Sequence, residues 1–187
     1  PWSTREPTLV GSGPARTRSR TWDPALDLPL SSQEERDAAI DTVLARAKAE
    51  AVSGGSPGAI VIAADQILAL EDSIFEKPAN MEEARRSLLA LRGKTHQLHS
   101  AVVLARDTQI VWAHTEAASL TMRELSAEDI GRYLAAAGES VLSSVGCYKL
   151  EGLGVHLFEK IEGDFFTILG LPLVALLERL RTERAAA

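Results

Sequence analysis

The sequence predicts a mixed α/β (α+β) domain. Three observations predict it. Apolar, β-branched runs have the length of strands. Two capping boxes, Asn80-Met-Glu-Glu83 and Ser126-Ala-Glu-Asp129, each open a segment of helical periodicity. Neighbouring strands joined by short turns fill the second half.

Residues 1–30 read as an irregular, basic N-terminal segment, and residues 31–187 as a single domain without internal repeats or a linker. Thr8-Leu-Val10 is a short apolar touch that Gly11-Ser-Gly-Pro14 breaks, and Arg16, Arg18 and Arg20 follow at alternate positions. The segment reads either as a basic arm or as a Gly/Ser loop whose arginines cradle phosphates. Ser31 with Glu34, or Ser32 with Glu35, fits a capping box opening the first helix. Ala39, Ile40, Val43, Leu44 and Ala47 form its apolar face, and Ser53-Gly-Gly-Ser-Pro57-Gly58 ends it. Lys48 lies towards the C-terminal end of that helix, a favourable place for a cation. Residues 59–70 read as a buried strand. A second helix runs from Asn80 to a C′ glycine, Gly93. Strands are expected at 95–106 and 109–123, a helix from Ser126 to Gly138, and short strands at 144–150, 154–161 and 165–169. Leu171-Pro172 then leads into a C-terminal amphipathic helix through Leu180.

The chain has 187 residues, 45% hydrophobic and 25% charged, so a packed core is within reach. Its formal net charge of -6 argues against non-specific nucleic-acid binding. An anionic ligand therefore needs a local cluster of Lys and Arg, or a divalent cation. The one cysteine, Cys147, excludes an intrachain disulfide and fits a reducing cytoplasm. No apolar stretch is long enough to span a bilayer and the N-terminus lacks a hydrophobic signal core, so no membrane partner is expected and the reading is cytoplasmic.

The sharpest feature is Asp65, set within Ala59-Ile-Val-Ile-Ala-Ala-Asp65-Gln66-Ile-Leu-Ala-Leu70. A carboxylate in apolar surroundings is costly unless something pairs with it or uses it. It either caps or salt-bridges at a strand end, or its apolar flanks make it a readier proton acceptor from water. It also offers hard oxygen ligands to a divalent cation. Lys77, stiffened by Pro78, is either a solvated loop lysine or a point charge for a polyphosphate. Glu159, Glu162 and Asp164 surround a Gly turn, either as solvated hairpin charges or with Asp164 as a second metal carboxylate. His96 and His99 resemble a metal pair, but three apart on one expected strand they should face opposite sides, which argues against a shared zinc ion. Cys147 has no His or Asn near it in sequence to activate a thiolate. The Gly-x-Ser-x-Gly turn, the Walker loop and the dinucleotide glycine fingerprint are absent.

These motifs together resemble the Maf family of nucleotide pyrophosphatases. The landmarks are Ala47-Lys48-Ala49, Ala64-Asp65-Gln66, Lys77-Pro78, Leu91-Arg-Gly93, Gly146-Cys-Tyr-Lys-Leu-Glu151-Gly152 and Glu162-Gly-Asp-Phe-Phe-Thr-Ile-Leu-Gly-Leu-Pro172. Each piece is modest; their order and spacing over about Ala38 to Leu180 are specific. The resemblance implies an elongated mixed sheet flanked by helices, in two lobes around a central cleft, as in inosine-triphosphatase-like folds. It implies hydrolysis of a nucleoside triphosphate to the monophosphate and pyrophosphate, with Mg²⁺ or Mn²⁺. By it, Asp65 is the catalytic acid/base and a metal ligand. Lys48, Lys77, Arg16 and Ser12 bind phosphates, and Gln66, Glu151 and Ala15 set base specificity. The family often dimerises, so a homodimer is expected.

Pyrimidine-selective members carry Asp-Thr at the catalytic strand and a Gln before the later Gly. Here stand Asp65-Gln66 and Glu151-Gly152, similar to the branch acting on 7-methyl-GTP. A carboxylate accepts guanine N1–H and N2–H together, and N7 methylation makes the base cationic. The rival readings are a dTTP/UTP pyrophosphatase and a nucleotide-binding protein without turnover. The second rests on a departure: where the family has Ser-x-Ser-Pro-x-Arg-Arg, this chain has Ser12-Gly13-Pro14-Ala15-Arg16-Thr17-Arg18, and the expected Asp-Glu pair is at best Asp27-Leu28.

Overall fold

The computed structural model describes residues 33–185, with side chains from 42 to 183. The N-terminal segment, with Ser12, Ala15 and Arg16, and the first capping box lie outside the described residues.

The elements run α1 (Gln33–Ser53), β1 (Val61–Leu70), β2 (Ser73–Phe75), α2 (Met81–Leu91), β3 (Thr95–Arg106), β4 (Gln109–Met122), α3 (Ala127–Ala137), two 3₁₀ helices (Gly138–Ser143 and Leu153–Leu157), β5 (Phe158–Glu162), α4 (Phe165–Ile168) and α5 (Leu173–Ala185). The fold is mixed α/β. Its sheet has the order β2-β1-β3-β4-β5, and every pairing among the described residues is antiparallel.

Local chemistry sets the boundaries. Asn80 caps α2 by accepting from the Glu83 backbone N–H at 2.9 Å, and Gly93 follows at φ 65°. Ser126 and Asp129 form a complete capping box on α3. β3 and β4 meet through Asp107 and Thr108, both at positive φ, the backbone that a two-residue hairpin demands.

Two expected strands are absent, and a third is shortened. The 144–150 segment is a turn in which Cys147 takes φ 59°, incompatible with a strand. The 165–169 segment is α4, because Asp164 accepts from the backbone N–H of Phe166 and Thr167 and so starts a helix. The 154–161 segment begins as 3₁₀ and becomes β5 only at Phe158.

The two sheet faces are packed differently. Even-numbered residues of β1, β3 and β4 point into a large core with Leu68, Leu98 and Leu120, closed by Leu88 and Leu91 of α2 and Ile130 and Leu134 of α3. Odd-numbered residues face α1. There Ala45 and Ala49 pack on Ala101, Val103 and Ala105, with Val61, Ala63 and Ala113 around them. The buried stripe of α1 is thus Ala45, Ala49 and Ser53, at four-residue spacing, while Ala47 is exposed. Ser53 Oγ accepts from the Thr108 backbone N–H at 2.9 Å and ties the helix end to the hairpin.

No helix among the described residues is long and apolar enough to cross a membrane. Cys147 is buried, and burial pushes its thiol up to about 11, so it is not a thiolate near neutral pH.

His96 is 1% exposed, with Nε2 bonded to the Tyr148 hydroxyl at 2.8 Å and its ring beside Phe158. Burial lowers it from about 6.5 to about 4. The unfolded chain therefore binds the proton first as pH falls. Stability is complete above about 6.5, falls between 6.5 and 4, and the loss approaches about 3 kcal/mol. Thermal melts from pH 7 to 4 are expected to show this slope, and His96→Gln to flatten it while keeping a partner for Tyr148.

Candidate active site

β2 pairs with β1 only at Leu68, Ala69 and Leu70, so the edge of β1 over residues 61–67 is left without a strand partner among the described residues. A cleft of about 320 Å³ lies against this edge. Ala64, Asp65 and Gln66 form its floor. One wall comes from the turn that follows the first 3₁₀ helix, with Tyr148, Lys149 and Glu151. Another comes from the end of α4, and Lys48 and Lys77 complete it.

Asp65 sits on the α1 face of β1. Its side chain is 19% exposed, less sheltered than its apolar neighbours in sequence suggest, because the strand edge is open. Lys48 Nζ donates to Asp65 Oδ1 at 2.6 Å and to Ala64 O at 3.4 Å. Lys48 is not in the last turn of α1, so the helix end does not explain it; Asp65 does. The ammonium has a third donor left, and Asp65 Oδ2 has no hydrogen-bond partner among the described residues.

Gln66, one residue on, faces the opposite side of the sheet. Its Nε2 donates to Ser100 Oγ (2.9 Å), Thr167 O (3.1 Å) and Ile168 O (3.0 Å). The amide can point only this way. The two carbonyls are pure acceptors, and Ser100 spends its own proton on Thr167 O at 2.8 Å. The nitrogen end is thus consumed by the protein. Oε1 has no partner among the described residues and is the only polar atom Gln66 can offer a ligand.

Glu151 stands in a tight turn. Lys149 O accepts from the backbone N–H of Gly152 and Gly154, both at 3.1 Å, and a Cβ on Gly154 would lie 2.5 Å from that oxygen. The turn presents both Lys149 and Glu151 to the cleft. Lys149 carries no sequence signal of its own beyond its place two residues before Glu151 in the Gly146–Gly152 motif.

The structure therefore brings together Asp65, Gln66, Lys48, Lys77 and Glu151. Asp164 is not part of the lining: its Oδ1 accepts from Phe166 N at 2.9 Å and Thr167 N at 3.1 Å, so it caps α4. His96 and His99 face opposite sides of β3, and no group of three or more His, Cys, Asp or Glu among the described residues could hold a metal ion by itself.

Comparison with known proteins yields one family model, described as Maf-like protein, which matches residues 11–183. A 7-methyl-GTP pyrophosphatase of Mesorhizobium japonicum is 54% identical over 158 residues, covering 84% of this chain and 79% of that protein. One from Brucella abortus biovar 1 is 53% identical over 160 residues, covering 86% and 80%. A nucleoside triphosphate pyrophosphatase of Paramagnetospirillum magneticum is 54% identical over 152 residues, covering 81% and 78%.

The fixed amide makes a direct prediction. Gln66→Glu sets a carboxylate oxygen against the carbonyls of Thr167 and Ile168. Stability at pH 7 is expected to fall by about 1–3 kcal/mol, the usual cost of an unmatched buried polar group. The deficit relative to the parent at the same pH should shrink towards pH 5, as the new carboxyl takes a proton and can donate.

Proposed function

Because the chain belongs to the Maf-like family, we propose that it hydrolyses a nucleoside triphosphate, 7-methyl-GTP above others, to the monophosphate and pyrophosphate. The observation that carries this reading is the cleft itself: a carboxylate with one unpaired oxygen, set among Lys48, Lys77 and Lys149.

In the reaction a water oxygen attacks the α-phosphorus, the bond from that phosphorus to the bridging oxygen breaks, and pyrophosphate leaves. Asp65 Oδ2 takes the water's proton while Lys48 holds Oδ1 and with it the rotamer. The third donor of Lys48, together with Lys77 and Lys149, offsets charge gathering on the leaving pyrophosphate. Arg16 and Ser12 would add to this cradle from the N-terminal segment.

The donor set fits a divalent cation that arrives with the triphosphate. Mg²⁺ takes one or two carboxylates and fills its other positions with phosphate oxygens and water. Of the two carboxylates in the lining, Asp65, beside Lys48, would hold it, which leaves Glu151 to the base. When bound, the ion would neutralise phosphate charge and polarise the α-phosphorus.

Base selectivity follows from acceptors. A uracil or thymine edge flanks its one N–H with two carbonyls and needs donors. Gln66 has none to spare, and Glu151 has none when ionised. Guanine presents N1–H and N2–H side by side, which suits Gln66 Oε1 and the Glu151 carboxylate. The positive charge of a 7-methylated base adds attraction to Glu151. A lone, buried cysteine suits the reducing cytoplasm where we place the reaction.

A panel of 7-methyl-GTP, dTTP, UTP and CTP, read by pyrophosphate release, tests the proposal. We expect 7-methyl-GTP to lead; a lead for dTTP or UTP overturns the base assignment. Asp65→Asn is expected to lower kcat by about 10²–10⁴-fold with nucleotide binding retained in calorimetry. EDTA should stop turnover and added Mg²⁺ restore it. Binding without any pyrophosphate release in the parent protein would favour a binding-only role.

A further inference from the structure

Gln66, Ser100 and Glu116 stand in one row across β1, β3 and β4. Gln66 is registered against Ser100, and Ser100 against Glu116. They share a sheet face, and Thr167 of α4 closes the row from above, with 0% exposure. Thr167 O accepts from Ser100 Oγ and Gln66 Nε2, and Thr167 Oγ1 donates to Glu116 Oε2 at 2.6 Å. The other Glu116 oxygen meets His114 Nε2 at 3.0 Å, and the His114 ring stacks on Trp112 with planes 5° apart.

The row matters because α4 has only four residues and cannot hold itself as an isolated helix. Phe165, Phe166 and Leu169 are exposed and anchor it little. The Thr167–Glu116 bond, the Ser100 bond, the buried Ile168 side chain and the Gln66 amide itself fasten it to the sheet. The two carbonyls that consume the Gln66 amide protons belong to Thr167 and Ile168. Their placement is therefore as good as that fastening.

We propose that Glu116 and Thr167 are positioning residues for base selectivity: through their hydrogen bond they hold α4 where its carbonyls lock the Gln66 amide with only Oε1 towards the cleft. This rests on the reading above that Gln66 contacts the base. Without the bond the carbonyls drift, the amide regains its second orientation, and Gln66 can donate to a pyrimidine carbonyl.

The experiment measures kcat and KM for 7-methyl-GTP, and for UTP as substrate or competing inhibitor, in the parent protein and in Thr167→Val, Thr167→Ser, Gln66→Ala and the Thr167→Val/Gln66→Ala double variant. Thr167→Val keeps the side-chain shape and deletes the donor. The preference for 7-methyl-GTP over UTP is expected to fall about tenfold in Thr167→Val, through KM for 7-methyl-GTP rather than through kcat, and to return in Thr167→Ser. In the Gln66→Ala background, Thr167→Val should change the preference no further. Should Thr167→Val fail to fold, Ser100→Ala cuts the neighbouring tether and carries the same expectation. A structural role alone would lower the melting temperature and slow both nucleotides equally; an unchanged preference in a folded variant overturns the proposal, as does an additive loss in the double variant. If Gln66→Ala by itself leaves the preference intact, base contact by Gln66 is refuted and the positioning role falls with it. If Gln66→Ala shifts the preference and Thr167→Val does not, only the positioning role is refuted.

Discussion

The two-residue alternation of β1, at a strand edge that β2 leaves half uncovered, governs this molecule. Alternation sends Asp65 towards α1 and Gln66 towards the opposite core, so two adjacent residues recruit unrelated supports. Asp65 is held by a lysine from a helix, Gln66 by carbonyls from a short helix a hundred positions away. The uncovered edge lets one cleft reach both. A full-length β2 would have paired this edge and closed it, and a slip of one residue in register would have exchanged the two side chains.

Charge is arranged with the same economy. The chain as a whole is acidic, yet three lysines converge on the cleft from α1, the segment after β2 and the turn before Glu151. No two belong to one element, so no run of like charge betrays the site in sequence. Two carboxylates, Asp65 and Glu151, line the cleft beside them. Two acidic residues outside the cleft serve helix starts: Asp129, held down to about 2 by its bonds to Ser126, on α3 and Asp164 on α4.

Much of this was legible beforehand. The capping boxes place α2 and α3 closely, because such signals act over a few residues, and the strands expected at 95–106 and 109–123 match β3 and β4. Asp65 stood out as a charge in an apolar run. The segments that the sequence misleads on have separate local causes. Phe165-Phe-Thr-Ile-Leu169 is a short apolar run whose period cannot separate strand from helix; the Asp164 cap decides it. The turn at 144–150 depends on a left-handed Cys147, and on a Gly146 pressed against the Tyr148 ring. Along α1, Val43 and Leu44 outweighed the small Ala45 and Ala49, which are the residues that dock. The direction of the Gln66 amide could not be read at all, since its acceptors come from Thr167 and Ile168.

The docking of α1 has a further consequence. At Ala45 and Ala49 this helix meets the sheet through methyl groups, with Thr42 bonded to Thr115 and Ser53 to the Thr108 backbone on either side of them. Methyls let the helix axis ride close to the strands, near enough for a lysine arm to reach across to a neighbouring aspartate. A bulkier side chain at Ala45 or Ala49 would lift α1 from the strands and draw the Lys48 ammonium away from Asp65, so the smallness of two buried residues sets the geometry of a pair neither of them touches.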